Sequence, residues 1–169
     1  IARAATEVGI ETIAGFFTPG LVTEIVESPG PAAVVTAKPA AVTLFNSIFF
    51  VRDWYVPDYL RDYPQAINLT AAMLLAHEMT HVWQWQNRAR TNYSPLVSAG
   101  ESIESKDPYF WVPEAGREFL TYGYEQQAAM VEDFVCYVLF DPKDAKVDEL
   151  ADILRPILPV DTFIAAYAR

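Results

Sequence analysis

Leu69-Thr70-Ala71-Ala72-Met73-Leu74-Leu75-Ala76-His77-Glu78-Met79-Thr80-His81-Val82-Trp83-Gln84-Trp85-Gln86 is the stretch on which the reading of this chain turns. It holds neither Gly nor Pro and is rich in Ala, Leu, Met, Glu and Gln, all strong helix formers. The spacing predicts a helix from about Leu69 to Arg90, with Asn68 or Thr70 as its cap. On a helical wheel His77, His81, Met73, Leu74, Gln84 and Arg88 share one face. Leu75, Met79, Val82 and Trp83 take the far side. Apolar residues on nearly all sides make this a buried, central helix.

Two histidines four apart on a helix point the same way, one turn above each other. Their ring nitrogens can converge on one zinc ion at about 2.0–2.1 Å. Glu78 lies about 100° round the helix from His77, beside such an ion rather than on it. There a carboxylate can take a proton from an attacking water and pass it to a leaving amine. The plainer alternative is a pair of packed core histidines. Against it, both histidines of the whole chain fall inside this one motif.

With only 2 histidines, a third must come from another residue type, and with 1 cysteine a multi-cysteine site is excluded. Gln84 and Asn87 occupy the Gly and last His positions of the longer HExxHxxGxxH form, so that form is excluded too. The third ligand is therefore expected to be a carboxylate, as in His2Glu sites. Glu101, Glu104, Asp107, Glu114, Glu118, Glu125, Glu132 and Asp133 are the downstream candidates. A second strong helix is expected from Tyr124 to Phe140, where Glu125, Ala128, Ala129, Glu132, Cys136 and Leu139 share a face. Glu132 lies about 10.5 Å along the axis from Glu125, so the two cannot both ligate one ion without distortion. Glu125, followed by small residues that permit close helix approach, is selected as ligand. Glu132 is assigned to orienting a histidine, or to pairing with Arg88. The plainer role for Glu125 is a first-turn carboxylate on the helix dipole.

Outward from these helices, the 169 residues suit one domain, and 52% apolar with 14% aromatic residues gives ample core. The formal net charge of −10 disfavours nucleic acid and anionic membranes as partners. No apolar run approaches the roughly 20 residues of a membrane span. The chain begins at Ile1 rather than Met, which leaves room for an upstream segment, a signal peptide included. Localisation stays open, with a slight lean to the cytoplasm from the lone Cys136.

Residues 2–17 read as a helix, Leu21–Glu27 as a short second one, and Ser28-Pro29-Gly30-Pro31 as a turn. Ala33–Thr36, Val42–Phe45 and Ile48–Val51 are β-prone runs of a small antiparallel sheet. Residues 53–66 read as a loop or short irregular helix, with Tyr55, Tyr59 and Tyr63 as packing residues. From Thr91 to Pro113 the chain reads as loop, given Pro95, Gly100 and Pro108. Asp144–Leu154 and Asp161–Tyr167 close the domain as amphipathic helices.

The segments Leu75–Gln86 and Tyr124-Glu125-Gln126-Gln127-Ala128 resemble those of the small bacterial zincin-like metallopeptidases of the Vgr-related family. They are similar, more distantly, to the metallopeptidase-like domain of extracellular contractile injection systems and Rhs-type toxins. The resemblance covers about residues 40–140. It implies an α+β, helix-rich zincin-like fold, zinc on His77, His81 and Glu125, Glu78 as catalytic base, and a peptide or protein substrate. It also brings an alternative, a non-catalytic zinc-binding assembly or adaptor module with a secretion-apparatus or phage-tail-like partner, or a secreted effector protease. One departure from glutamate zincins is Ala129, where an Asp often stands four residues after the ligand.

The expected organisation is a single domain over 1–169, comprising a helical segment 1–30, sheet 31–52, metal-binding helices 68–140 and C-terminal helices 144–167. Ser47–Arg52 is the candidate edge strand to which an extended peptide adds, with an ordinary buried strand as the equal alternative. Tyr122, Tyr124 and Arg117 are the candidate oxyanion donors, with a structural aromatic as the favoured role of either tyrosine. Trp83 and Trp85 are read as core.

Overall fold

The structure, a computed structural model, describes residues 24–28, 40–59, 65–104 and 107–168. The expected helix 2–17, the strand Ala33–Thr36, the turn at 29–31 and Tyr63 lie outside them. The fold is α+β, with a small sheet on one side of a group of helices.

The sheet runs β1 (Glu24–Ser28), β3 (Ser47–Val51), β2 (Ala41–Leu44) in spatial order. β2 and β3 form the expected antiparallel hairpin, through a turn in which Phe45 takes φ +59°. β1 adds to the far side of β3 in parallel. One expectation is corrected here and one open alternative is decided. The segment read as a second short helix contributes a strand, because Ile25 and Val26 are β-branched and suit a ladder as well as a helix. Ser47–Val51 is the central strand, and among the described residues β1 and β2 take the two outer positions.

Helix α1 (Leu69–Gln86) is capped by Asn68, whose Oδ1 accepts from Ala71 N at 3.1 Å. It stops at Asn87, earlier than Arg90, and a one-turn helix α2 (Arg88–Thr91) follows. Residues 75–84 of α1 are buried without a break. They sit between the hairpin and α4 (Tyr124–Phe140). Leu75, Met79 and Val82 pack in one core with Met130, Val131, Phe134 and Val138. α5 (Ala145–Leu154), capped by Asp144, and α6 (Val160–Tyr167) add Val147, Leu150, Leu154 and Phe163 to it. Tyr59 is buried against Phe50, with ring centroids 5.1 Å apart. Among the described residues no helix is long and apolar enough to cross a membrane.

A further helix, α3 (Pro95–Glu104), occupies part of the segment read as loop. Pro95 is tolerated because the first helical residue needs no backbone N–H partner. Ser94 O accepts from both Val97 N and Ser98 N, which starts the helix.

Candidate metal centre

α1 and α4 face each other so that His77, His81 and the first-turn Glu125 come together, all three buried. Glu125 Oε2 lies 3.2 Å from His77 Nε2 and 3.3 Å from His81 Nε2. A tetrahedral ion with bonds of about 2.0–2.1 Å holds its ligand atoms about 3.3–3.4 Å apart. A direct charge-assisted N–H···O bond is shorter, about 2.7–2.9 Å. Both separations lie close to that ligand spacing, and the three atoms all fall within 4.8 Å of one another.

The remaining polar atoms of the three side chains are engaged away from that point. His77 Nδ1 lies 3.0 Å from Glu132 Oε2, and His81 Nδ1 lies 2.9 Å from Gln84 Oε1. Ser98 Oγ on α3 donates to Glu125 Oε1 at 2.8 Å. A carboxylate and an amide oxygen can only accept, so in the neutral rings each Nδ1 carries the proton and each Nε2 a lone pair. Two lone pairs and a carboxylate oxygen then converge in a buried space, which calls for positive charge. The donor set of two imidazoles and one carboxylate fits a zinc ion.

Without such an ion, a proton takes its place. Burial lowers the pKa of His77, but its hydrogen bonds to Glu125 and Glu132 win and push it up to about 10. Burial raises Glu125, and its hydrogen bonds to His77 and His81 hold it well below the usual carboxylate range.

Glu78 is buried on the same turn, and Thr43 Oγ1 of β2 donates to its Oε2 at 2.6 Å. Thr43 thereby fixes the carboxylate from the outer strand. Glu132 comes to His77 rather than to Arg88, whose guanidinium lies over the Trp85 ring at 4.3 Å. Trp83 is core, while Trp85 is half-buried against Phe45. Asp133 accepts from Trp111 Nε1 at 2.9 Å, and Glu101 caps α4 by accepting from Tyr124 N at 2.8 Å.

The hydroxyls of Tyr122 and Tyr124 are both engaged by the chain itself. Tyr124 Oη donates to Thr91 O, and its ring meets Tyr93 edge-on. Tyr122 Oη donates to Val112 O and accepts from Glu114 N, while Arg117 lies over its ring and pairs with Glu114.

Two other tyrosines flank the histidines, and nothing in the sequence distinguished them. Tyr93 is buried and stacks on His81 at 5.8 Å. Tyr109, 52% exposed, places its ring 5.6 Å from that of His77. The residues after it are tied to α4, through Gln126 Nε2 to Phe110 O at 2.7 Å and through the Trp111–Asp133 bond. Burial, then the charges of Glu125, Glu78 and Glu132, raise its phenol pKa.

Comparison of the chain with protein-family models, with curated proteins and with solved structures finds no match.

Proposed function

We propose that this chain is a zinc-dependent metallopeptidase of the zincin type, hydrolysing peptide bonds in a peptide or protein. The observation that carries the reading is the convergence of His77 Nε2, His81 Nε2 and Glu125 Oε2 beside a buried carboxylate, Glu78, outside that group. A bound zinc ion supplies Lewis acidity, polarising a peptide carbonyl and making water acidic enough to lose a proton near neutral pH. Three protein ligands leave one tetrahedral position open, whereas structural zinc sites are normally closed by four.

His77, His81 and Glu125 hold and orient. Glu78 takes the proton of the attacking water and delivers it to the leaving amine. Thr43 keeps one oxygen of Glu78 occupied and leaves Oε1 for the transfer. Tyr109, half-exposed beside His77, donates a hydrogen bond to the oxyanion. β2 offers its outer edge to an extended peptide on the side of Glu78.

A second reading, a non-catalytic metal-stabilised adaptor of a secretion or phage-tail-like apparatus, draws on one observation. Glu78 is buried and already bound by Thr43. Metal analysis and a peptidase assay of wild type beside Glu78→Gln separate the two. The expected result is stoichiometric zinc in both proteins, with cleavage falling about 10²–10⁴-fold in the variant. Equal zinc and no difference in cleavage favour the adaptor. No stoichiometric metal in wild type sinks both.

A further inference from the structure

Gln84 and Gln127 are buried side-chain amides, 0% and 1% exposed, that touch across α1 and α4. Gln84 Nε2 donates to Tyr124 O at 3.1 Å and to Gln127 Oε1 at 3.0 Å. Gln127 Nε2 donates to Tyr122 O at 2.7 Å. Gln84 Oε1 faces His81 Nδ1 at 2.9 Å. The two carbonyls, one on each side of Gly123, can only accept.

That fact propagates. Tyr122 O requires the NH2 end of Gln127, so the oxygen of Gln127 faces Gln84. Tyr124 O and that oxygen together require the NH2 end of Gln84. Its oxygen is left for His81, which must then carry its proton on Nδ1 and its lone pair on Nε2. Reversing either amide would set oxygen against oxygen or N–H against N–H in a space closed to water, at the full cost of unmade buried hydrogen bonds.

The carbonyls bound by this pair belong to the residues just ahead of Glu125. The same amides therefore tie the start of α4 to the α1 turn that carries His81.

We infer that Gln84 and Gln127 form a positioning relay that sets the His81 tautomer and the seating of Glu125 together, so that the metal ligands are arranged before any ion arrives. This rests on the metal-centre reading above. Gln127 touches no ligand, yet it controls metal affinity. Histidine ligands lose about 10–100-fold in affinity when their outer hydrogen-bond partner is removed. A ligand set with a fixed tautomer and fixed spacing loses less conformational freedom on binding.

The test is zinc affinity by competition with a chromophoric chelator, for wild type, Gln84→Met, Gln127→Met and Gln86→Met. Gln86 is exposed, bonds only to Asn46 among the bonds seen for it, and serves as control. Gln84→Met and Gln127→Met are expected to weaken zinc about tenfold or more and to shift the visible spectrum of the cobalt-loaded protein, while Gln86→Met does neither. Wild-type affinity and spectrum in folded Gln127→Met overturn the relay while leaving the metal centre standing. No zinc on wild type overturns both.

A measurement on metal-free wild type keeps the test independent of variants that fail to fold. Long-range 1H–15N correlation, at a pH where the His81 ring is neutral, is expected to place its proton on Nδ1. A proton on Nε2 overturns the inference.

Discussion

Glu132 Oε2 stands 3.0 Å from Nδ1 of His77, so one imidazole is gripped from opposite ends by two carboxylates of the same helix. Glu125, seven residues earlier on α4, takes the Nε2 side. Two glutamates two turns apart cannot reach one small ion, but they can reach the two nitrogens of one ring. Glu132→Gln keeps the size of the side chain and removes its charge. It is expected to weaken zinc binding about 10–100-fold. Glu125→Ala, which deletes a ligand, is expected to weaken it far more. Chelator competition on both variants checks the order; equal losses would contradict it.

Thr43 reaches Glu78 from the outer strand. Thr43→Val keeps the β-branched shape and removes the hydroxyl, leaving Glu78 Oε2 without that donor. Cleavage is expected to fall about 10–100-fold at unchanged zinc content, because a single neutral-to-charged hydrogen bond contributes about 1.5–3 kcal/mol. Steady-state kinetics beside metal analysis reads both quantities. Loss of zinc instead would place Thr43 in the metal site.

Tyr109→Phe removes one hydroxyl from a half-exposed ring at the edge of the site. The expected outcome is a kcat lowered about 10–100-fold with KM little changed, the pattern of an interaction made in the transition state. Tyr124→Phe, whose hydroxyl is spent on Thr91 O, is expected to leave kcat near wild type. The reverse pattern would restore Tyr124 to the site.

In metal-free protein His77 is raised from 6.5 to about 10 and Glu125 is lowered from 4.5. The raised histidine contributes stability that is full below pH 6.5 and is lost as pH climbs through about 10. The lowered glutamate contributes stability that is present above pH 4.5 and is lost as pH falls through its folded value. Metal-free stability is therefore expected to be greatest between those limits, by thermal melts across pH. Zinc must displace the His77 proton, so at pH 8 binding is expected to release about one proton from this ring. Calorimetry in buffers of differing ionisation enthalpy measures it.

The helix carrying the motif was legible because Leu69–Gln86 has no breaker and a side-chain cap precedes it. α4 was legible because Tyr124–Phe140 likewise has no breaker, with Asp141-Pro142 marking its end. α3 was not. Pro95 and Gly100 are loop signals in isolation, yet a proline in the first turn costs a helix nothing. Ser98 was invisible for that reason, since nothing local marks a serine that will meet Glu125 from a third helix. β1 hid in a short apolar run that fits helix or strand equally, and its pairing with β3 decides between them.

By itself the sequence determined which donor types a metal site in this chain could draw on. Two histidines one helical turn apart, no third histidine and one cysteine leave a carboxylate as the candidate third donor, because donor types are countable and the helix period is fixed. Only the tertiary structure decided which atoms face inward. Whether Glu125 meets both histidines, whether Glu132 takes the opposite nitrogen, and whether Tyr109 rather than Tyr122 or Tyr124 flanks the site depend on how α4 is seated on α1. That seating is set by packing and by buried hydrogen bonds between residues about 40 to 55 positions apart, distances over which local periodicity carries no information.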